Sequence, residues 1–481
     1  MASSTLRGFS LSTIPPLSSA HLASQFSEPQ SPARWILSRP KSLLRLHSTR
    51  SRTTMGVYAA VSVNFERSEE SSTTAHKHEV HDVVIVGGGI AGFATALALH
   101  RLGVKSTVIE QSEDLRVAGS AIGLWSNAWR ALEALGVADS LRNQSLRISG
   151  MELLGTDGTL IKSHNIIEGS TDIELRSFER KTLVGALCKP IPDNQVIYGS
   201  RVIHIKQLEA GYTEVECEGG QKMQTKVLIG CDGIGSVVAK WMKMKEPCYN
   251  GHVAIRGIAE YPDGHGLGDR VKQILGIGVR AGVAPMNANK VYWFVIFNSS
   301  GEKLKDANLV RKEALDYAKE WPAIITEAIQ RTPLESFSRR SLSDRWMWPI
   351  GGPPLYKGGV TLAGDAMHPM TPNLGQGACC ALEDAIILSR SLSKALLIND
   401  LSSRSPAQEM KEIELALHSY VEERWRRMLP LAIRSNLTGR MLQSNNRLVC
   451  SFRDMISRYT TVDKFLNHTN FDCGTLVERI K

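Results

Sequence analysis

The chain has 481 residues, enough for two or three domains with sizeable cores, and its hydrophobic and charged fractions are ordinary for a globular protein. It has no run of the roughly 18–20 apolar residues that a membrane-spanning helix needs, which leaves only peripheral membrane contact open. Residues 1–65 hold seven Lys or Arg and one Glu, and so carry +6 of the formal charge of +9. The remainder has no basic stripe, which argues against nucleic-acid binding.

The cysteines exclude two further classes of protein. Eight cysteines are scattered along the chain without a CxxC spacing. This pattern argues against a zinc site and against a disulfide framework, so we expect no metal site. Reduced thiols in an internal compartment fit better.

Residues 1–59 have the composition of an organelle transit peptide, rich in Ser, Thr and Arg and almost free of acid. The heavy Ser content and the start Met1-Ala2-Ser3-Ser4 favour a chloroplast destination. Val57-Tyr58-Ala59-Ala60 resembles a stromal processing site with cleavage before Ala60. A mitochondrial peptide and a plain disordered tail are the alternatives.

The folded part begins with a strand, a glycine-rich turn and a helix. Residues 82–86 form a β-branched run typical of a buried parallel strand, and a Gly-Gly-Gly-Ile-Ala-Gly turn and an Ala/Leu-rich helix over 93–102 follow. A second strand, residues 106–109, ends at Glu110. The sequence therefore predicts a dinucleotide-binding unit.

Four residues carry the chemistry of this unit. Gly87 permits the tight turn, Gly89 lets the backbone approach a pyrophosphate, and Gly92 lets the helix pack closely on the strand. The free amides at the helix start favour phosphate, and Glu110 stands where a carboxylate would bond the adenosine ribose.

Two later strands also deliver an acid to their carboxyl ends. Residues 226–229 lead to Asp232, and residues 360–363 lead to Asp365. Ligands of open α/β sheets bind at these ends, so three acids converge on one extended ligand. A nucleotide as long as FAD needs such a series, which predicts FAD.

The loop after Asp365 predicts the position of the flavin ring. Its prolines hold the backbone extended, and Gly375 and Gly377 let it press against a planar group. The helix predicted over residues 378–392 then points its amides and its positive dipole end at that group.

The middle of the chain reads as strands over 271–277, 279–285 and 291–298, which we expect to form one sheet above the flavin. Arg256 and the aromatic run Tyr292-Trp293-Phe294 are candidate pocket residues. A surface ion pair explains Arg256 equally well, and plain core packing explains the aromatic residues equally well.

Residues 418–435 predict a helix whose three arginines face solvent: Arg424, Arg426 and Arg427.

These motifs resemble the class A flavoprotein monooxygenases, the family of para-hydroxybenzoate hydroxylase and zeaxanthin epoxidase. The similarity rests on GGGIAG with Glu110, on GCDGIGS at Asp232, and on GDAMHPMTPNLGQG followed by ALEDA, and it extends from about residue 80 to 475. Residues 122–128 and 471–474 are closest to the plant monooxygenase 1-like branch, which resembles FAD-dependent urate hydroxylase.

The resemblance implies an α/β fold in which a Rossmann-like FAD-binding domain holds an inserted mixed β-sheet substrate domain and is followed by a C-terminal helical segment. The FAD-binding domain then takes residues 80–250, with 151–210 contributing towards the substrate side, and residues 341–400. The substrate sheet takes 251–340, and the C-terminal helical region takes 401–481.

The resemblance also assigns roles. Asp365 would bond the ribityl chain of FAD, Arg176 would contact the cofactor, and Asp232 would serve both FAD and a transient NAD(P)H. Arg256 loosely matches a substrate-side arginine, and it is a candidate catalytic residue together with Pro369 of the flavin loop.

The implied activity is that of an NAD(P)H-consuming monooxygenase that hydroxylates or epoxidises a small electron-rich aromatic, heteroaromatic or isoprenoid substrate through a flavin 4a-hydroperoxide. Its partners are then a small molecule and dioxygen. A catalytically silent flavin-binding sensor and an FAD-dependent oxidase are the alternatives.

Overall fold

The computed structural model describes residues 80–477 apart from 116–120, 167–172, 210, 347–353, 398–404, 462–463 and 465. The predicted transit peptide and its processing site lie outside these residues. Within them, no helix combines the length and the apolar character needed to cross a membrane.

Eight described strands form a first sheet: β1 (Val80–Val86), β2 (Ser106–Ile109), β8 (Val196–Ile197), β9 (Val202–Gln207), β10 (Thr213–Cys217), β11 (Lys222–Gly230), β17 (Tyr356–Lys357) and β18 (Val360–Leu362). The centre of this sheet is parallel and has the order β18-β11-β1-β2. The last four residues of β1 are apolar and buried, as a parallel strand covered on both faces requires. The parallel strands end at the same edge of the sheet.

Seven described strands form a second, mixed sheet: β5 (Gly150–Gly155), β6 (Leu160–Asn165), β12 (Cys248–Glu260), β13 (Arg270–Leu275), β14 (Val279–Pro285), β15 (Lys290–Asn298) and β16 (Ser338–Asp344). Their order in the sheet is β16-β12-β15-β14-β13-β5-β6. Pairing is antiparallel except between β13 and β5. Residues 150–165 therefore add two strands to the sheet predicted from 251–340, while the exact domain boundaries stay a prediction.

Three short strands, β3 (Ala121–Leu124), β4 (Leu146–Arg147) and β7 (Arg176–Glu179), form a third sheet. The described helices are α1 (Ile90–Arg101), α2 (Ser126–Ala134), α3 (Ala138–Arg142), α4 (Arg180–Cys188), α5 (Val237–Trp241), α6 (Ala307–Ala318), α7 (Ala323–Gln330), α8 (Gly377–Leu396), α9 (Pro406–Leu442) and α10 (Arg447–Tyr459).

Two apolar cores hold these layers together. The larger core joins the first sheet to α1, α2, α8 and α9, and the smaller one joins the second sheet to α6 and α7. The predicted α/β fold with a Rossmann-like domain and a mixed β-sheet is confirmed. The helix predicted over residues 418–435 is longer, because a capping box between Ser405 and Gln408 starts it earlier and it continues through Pro430.

The first turn of α1 lies directly against the end of β1. Gly87 has φ +105°, and an added Cβ there would lie 2.6 Å from the Cys231 carbonyl oxygen. A Cβ on Gly92 would lie 1.9 Å from the Gly87 carbonyl oxygen. Only glycine therefore permits this approach of helix to strand.

The prediction that the three arginines of α9 face solvent is wrong for two of them. Arg426 is exposed, but Arg424 is fully buried, with its Nε 2.6 Å from Asp384 Oδ1 and its Nη2 2.8 Å from Glu383 Oε2. Arg427 also donates to Glu383 Oε1, at 3.2 Å. Glu383 and Asp384 of α8 are buried carboxylates, and a buried carboxylate requires a paired charge. Arg424 and Arg427 therefore turn towards α8 and away from solvent.

Asp384 also holds the turn after β18. Its Oδ2 accepts hydrogen bonds from the Gly364 amide at 2.7 Å and from His368 Nε2 at 2.6 Å. Burial by itself would raise the pKa of Asp384, but its attraction to His368 and Arg424 outweighs burial and lowers the pKa to about 2. Asp384 is therefore a carboxylate that joins α8, α9 and the turn at Asp365.

Replacement of Gly92 by Ala should destabilise the protein by about 1–3 kcal/mol, because the new methyl group overlaps backbone that cannot move without opening the β1–α1 turn. The control is Gly185→Ala inside α4, where a Cβ meets nothing within 4 Å; it should be neutral or stabilising by about 0.5–1 kcal/mol. Denaturant unfolding of both variants measures the difference. Equal stability would contradict the close-packing argument.

Replacement of Arg424 by Met should cost about 3–5 kcal/mol, because Glu383 and Asp384 lose a buried counter-charge. Arg426→Met, on the same helix but exposed, should change the free energy of unfolding by at most about 0.5 kcal/mol. Denaturant midpoints of the two variants test this. Similar losses in both would show that the buried network does not stabilise the fold.

Candidate functional site

The first glycine-rich turn presents free amides at the edge of the first sheet. Gly89 is the N-cap of α1, and no side chain caps this helix end. A Cβ on Gly89 would meet nothing closer than an Arg180 nitrogen, at 3.6 Å. The helix start is therefore open on the side where its dipole favours an anion.

Glu110 follows β2 and lies beside this turn. Its Oε2 accepts from the Gly88 amide at 2.6 Å, and its Oε1 accepts from the Ser112 amide at 2.9 Å. The backbone thus fixes the orientation of Glu110 beside the glycine-rich turn.

The second motif contacts the first. A Cβ on Gly87 would lie 2.8 Å from Asp232 Cα, so the two turns touch. Asp232 Oδ2 accepts from the Val237 amide at 2.7 Å, while its buried Oδ1 has no partner among the described residues. Burial raises the pKa of Asp232, against the hydrogen bonds from Ser236 and the backbone.

The third motif completes the group of turns. Gly364 packs against Ala91 of α1, and Asp365 Oδ1 lies 3.8 Å from where a Gly377 Cβ would stand. Asp365 is exposed although the residues on either side of it are buried. An exposed acid inside a buried segment faces a cleft, and this cleft is bounded by the starts of α1 and α8.

The loop between Asp365 and α8 is shaped by Gly375 and by its two prolines. Gly375 is exposed, adopts φ +62°, and lies against the Trp125 indole. The N-cap of α8, Gln376, makes no side-chain capping hydrogen bond, so no side chain caps the amides of the first turn. Pro369 is buried, and its carbonyl oxygen accepts from the Arg345 amide at 3.0 Å.

Arg176 lies farther along the third sheet and is engaged with protein groups. Its Nε donates to Glu174 Oε1 at 2.6 Å, its Nη1 donates to the Ser145 carbonyl at 3.0 Å, and its guanidinium lies 5.7 Å from the Trp129 ring centre. Arg180, four residues later at the start of α4, is the arginine beside Gly89, and its charge also acts on Asp365. Arg180 was not predicted as a site residue, although its position directly after a strand was an available signal in the sequence.

The second sheet presents alternate residues to the cleft side. Trp293 is fully buried on the opposite side, where its Nε1 donates to Thr332 Oγ1 at 2.7 Å. Tyr292 and Phe294 lie on the cleft side with Arg256, which pairs in register with Phe294. The aromatic cluster is therefore split: Trp293 is core, and its two neighbours are available to a ligand.

Arg280 is a second site residue that was not predicted from the sequence. It is 3% exposed, and its Nη2 donates to Asn373 Oδ1 at 2.6 Å, while its Nε has no partner. In the described part of the chain no carboxylate pairs with it. Burial lowers the pKa of Arg280 to about 10, so it remains a cation near neutral pH. A charged residue in an otherwise apolar strand was the signal.

A cavity of about 400 Å³ opens beside the same loop. Its lining includes Thr371 and Asn373 of the loop, His252 of β12 and Arg440 of α9. Asn373 therefore touches both this cavity and Arg280. Asn373 thus connects the buried Arg280 guanidinium to a cavity large enough for a small ligand.

This arrangement suits one extended ligand with phosphates in its middle. Two uncapped helix starts offer amides to anions, and acids beside each of them can accept hydroxyl groups. Glu110, Asp232 and Asp365 stand at the ends of different parallel strands and converge there. Such a row of donors and acceptors has the chemistry to hold a dinucleotide such as FAD.

Comparison with known proteins agrees with this geometry. Residues 80–397 match the family model described as FAD binding domain. The chain is 37% identical over 400 residues to Monooxygenase 2 of Arabidopsis thaliana, covering 82% of this chain and 98% of that protein. It is 30% identical to a chloroplastic zeaxanthin epoxidase of an Oncidium hybrid cultivar, over 71% of this chain and 52% of that protein.

A solved structure shares the fold. Klebsiella pneumoniae HpxO complexed with FAD and uric acid superimposes with a TM-score of 0.70 at 22% identity, over 82% of this chain and 96% of that chain. The predicted family, fold class and FAD cofactor are confirmed. The chain therefore belongs to the family of FAD-dependent monooxygenases and is an enzyme that uses FAD.

Proposed function

We propose that this enzyme uses NAD(P)H and dioxygen to hydroxylate or epoxidise a small electron-rich organic compound, and that its FAD lies in the cleft between Glu110 and Asp365. The observation that carries the proposal is the exposed Asp365 within a buried turn, flanked by two uncapped helix starts. Bound FAD supplies the redox chemistry and the activation of dioxygen.

Each part of the cleft then has a task. Gly87, Gly89 and Gly92 bring the start of α1 to the pyrophosphate, and Glu110 accepts from the adenosine ribose. Asp365 accepts from the ribityl chain. Gly375 and Gly377 set the loop and the start of α8 against the flavin ring, whose negative charge in the reduced state the helix dipole stabilises.

Two arginines near the cleft have different roles. Arg180 stands beside both Gly89 and Asp365, which favours it for a direct cofactor contact. Arg176 is paired with Glu174, so we assign it a structural role beside the site. The resemblance had implied a direct contact between Arg176 and the cofactor. Asp232 joins the first two turns, and Pro369 orients the flavin loop through its bond from Arg345.

Substrate is proposed to lie between the flavin loop and the cleft side of the second sheet. Arg280, Tyr292 and Phe294 line this side, and Arg256 lies next to the Tyr292 hydroxyl. Among the residues that the structure describes, the buried Arg280 has no carboxylate partner, which favours a substrate that is anionic or that presents a hydrogen-bond acceptor.

The plastid is the proposed location of the enzyme, supported by the composition of residues 1–59 and by the chloroplastic relatives.

The first test is aerobic NAD(P)H oxidation by the purified full chain, scanned over phenolics, purines and isoprenoid fragments with hydrogen peroxide measured in parallel. We expect a yellow protein whose NAD(P)H consumption rises with one compound and whose product gains one oxygen atom from dioxygen. Asp365→Ala should lose FAD, whereas the exposed Asp316→Ala should keep it.

Other outcomes point elsewhere. Yellow protein without turnover favours the silent sensor, and stoichiometric peroxide without oxygenated product favours the oxidase. A colourless protein that FAD does not reconstitute contradicts the proposed cofactor site.

The substrate side is tested by Arg280→Gln. With the substrate found above, this variant should retain FAD but lose at least about tenfold in kcat/KM, because a charged hydrogen bond is worth about 1.5–3 kcal/mol. Arg256→Gln should lose less, and Arg201→Gln, at an exposed position just before β9 of the first sheet, serves as the control. Unchanged kcat/KM in Arg280→Gln would place the substrate elsewhere.

A further inference from the structure

Helix α10 presents its apolar side to solvent. We call this side the outer face; its large side chains recur at helical spacing and are Leu448, Val449, Phe452, Met455, Ile456 and Tyr459. Leu448 is 80% exposed, Phe452 56% and Tyr459 82%. A surface helix of a globular protein usually turns such a stripe towards the core.

The inner side of α10 is fastened by polar contacts instead. Arg453 is 1% exposed and donates through Nη1 to the Gly276 carbonyl at 2.9 Å and to the Leu442 carbonyl at 3.3 Å. Cys450 donates to the Ser444 carbonyl at 3.3 Å. Because these bonds hold the helix in one orientation, the outer face is a fixed feature of the fold.

The outer face is bordered by cations. Arg447 and Arg458 lie at the two ends of the helix, and Lys162 donates to the Arg458 carbonyl at 3.0 Å. Asp454 is the one acid of α10, and it is paired with Arg453.

We propose that the outer face of α10 docks this protein on an anionic lipid surface, with the helix lying in the plane of the interface. An apolar stripe with basic ends and few acids has the composition of interfacial helices, which insert their apolar side chains and attract anionic headgroups. This proposal does not rest on the proposed function or on the substrate.

The charges favour lipid over a second copy of the chain. A two-fold contact through the outer face would bring Arg447 of one copy towards Arg458 of the other, or each arginine towards its own equivalent. No acid of the helix is free to pair with them, since Asp454 is bonded to Arg453. An anionic membrane supplies the counter-charge that a second copy lacks.

The test is co-sedimentation of the full FAD-loaded chain with vesicles of phosphatidylcholine alone and of phosphatidylcholine mixed with phosphatidylglycerol in equal parts. The wild type should bind the mixed vesicles. Combined serine substitutions at Leu448, Phe452 and Tyr459 should weaken binding at least about tenfold. Arg447→Gln with Arg458→Gln should reduce the preference for phosphatidylglycerol.

A matched variant controls for general loss of surface hydrophobicity. It carries serine at three apolar positions on other elements, each more than half exposed: Ile203, Leu309 and Leu415. This variant should bind as the wild type does. FAD content and unfolding midpoints, which exposed substitutions should leave unchanged, show that every variant is folded.

Three results would overturn the proposal. The first is a wild type that binds neither kind of vesicle. The second is equal binding by the wild type and the outer-face variant, which would assign the binding to another segment. The third is a dimer that the outer-face variant abolishes without any vesicle binding, which would make the face a contact between copies of the chain.

Discussion

The buried Asp384 carboxylate connects the elements around the cleft. It accepts hydrogen bonds from the Gly364 amide, from His368 and from Arg424, and it therefore fixes the turn that carries Asp365 relative to α8 and α9. Its neighbour Glu383 binds Asn127 of α2 at 2.6 Å. A carboxylate buried this deeply is stable only with its counter-charges in place, so each of these elements requires the others.

The same interaction explains why the cleft can stay open and rigid. The first turns of α1 and α8 have no capping side chains, which leaves amides unsatisfied at the cleft. Such helix ends would fray if packing did not hold them. The close contact of Gly92 with Gly87 fixes α1, and the Asp384 network fixes α8. The amides are thus oriented before a ligand arrives, which lowers the entropy cost of binding.

The second sheet divides its two faces between stability and recognition. Trp293 and its alternate neighbours pack on α6 and α7, while Tyr292, Phe294 and Arg280 lie towards the cleft. A one-residue shift of register would exchange these sets. Because the buried Trp293 and Phe297 oppose such a shift, the core of this sheet also positions its polar residues.

The sequence by itself determined the features that neighbouring residues encode. Each glycine turn with its acid follows an apolar strand, so the parallel sheet, the order of the motifs and the meeting of Glu110, Asp232 and Asp365 at one edge were predictable. The placement of single charges was not. Arg280 reaches Asn373 across 93 positions and Arg424 reaches Glu383 across 41, and an arginine that pairs with a distant group looks in sequence like one that faces water. Only the tertiary structure decides this, because the cost of burying a charge depends on which partners the fold brings to it.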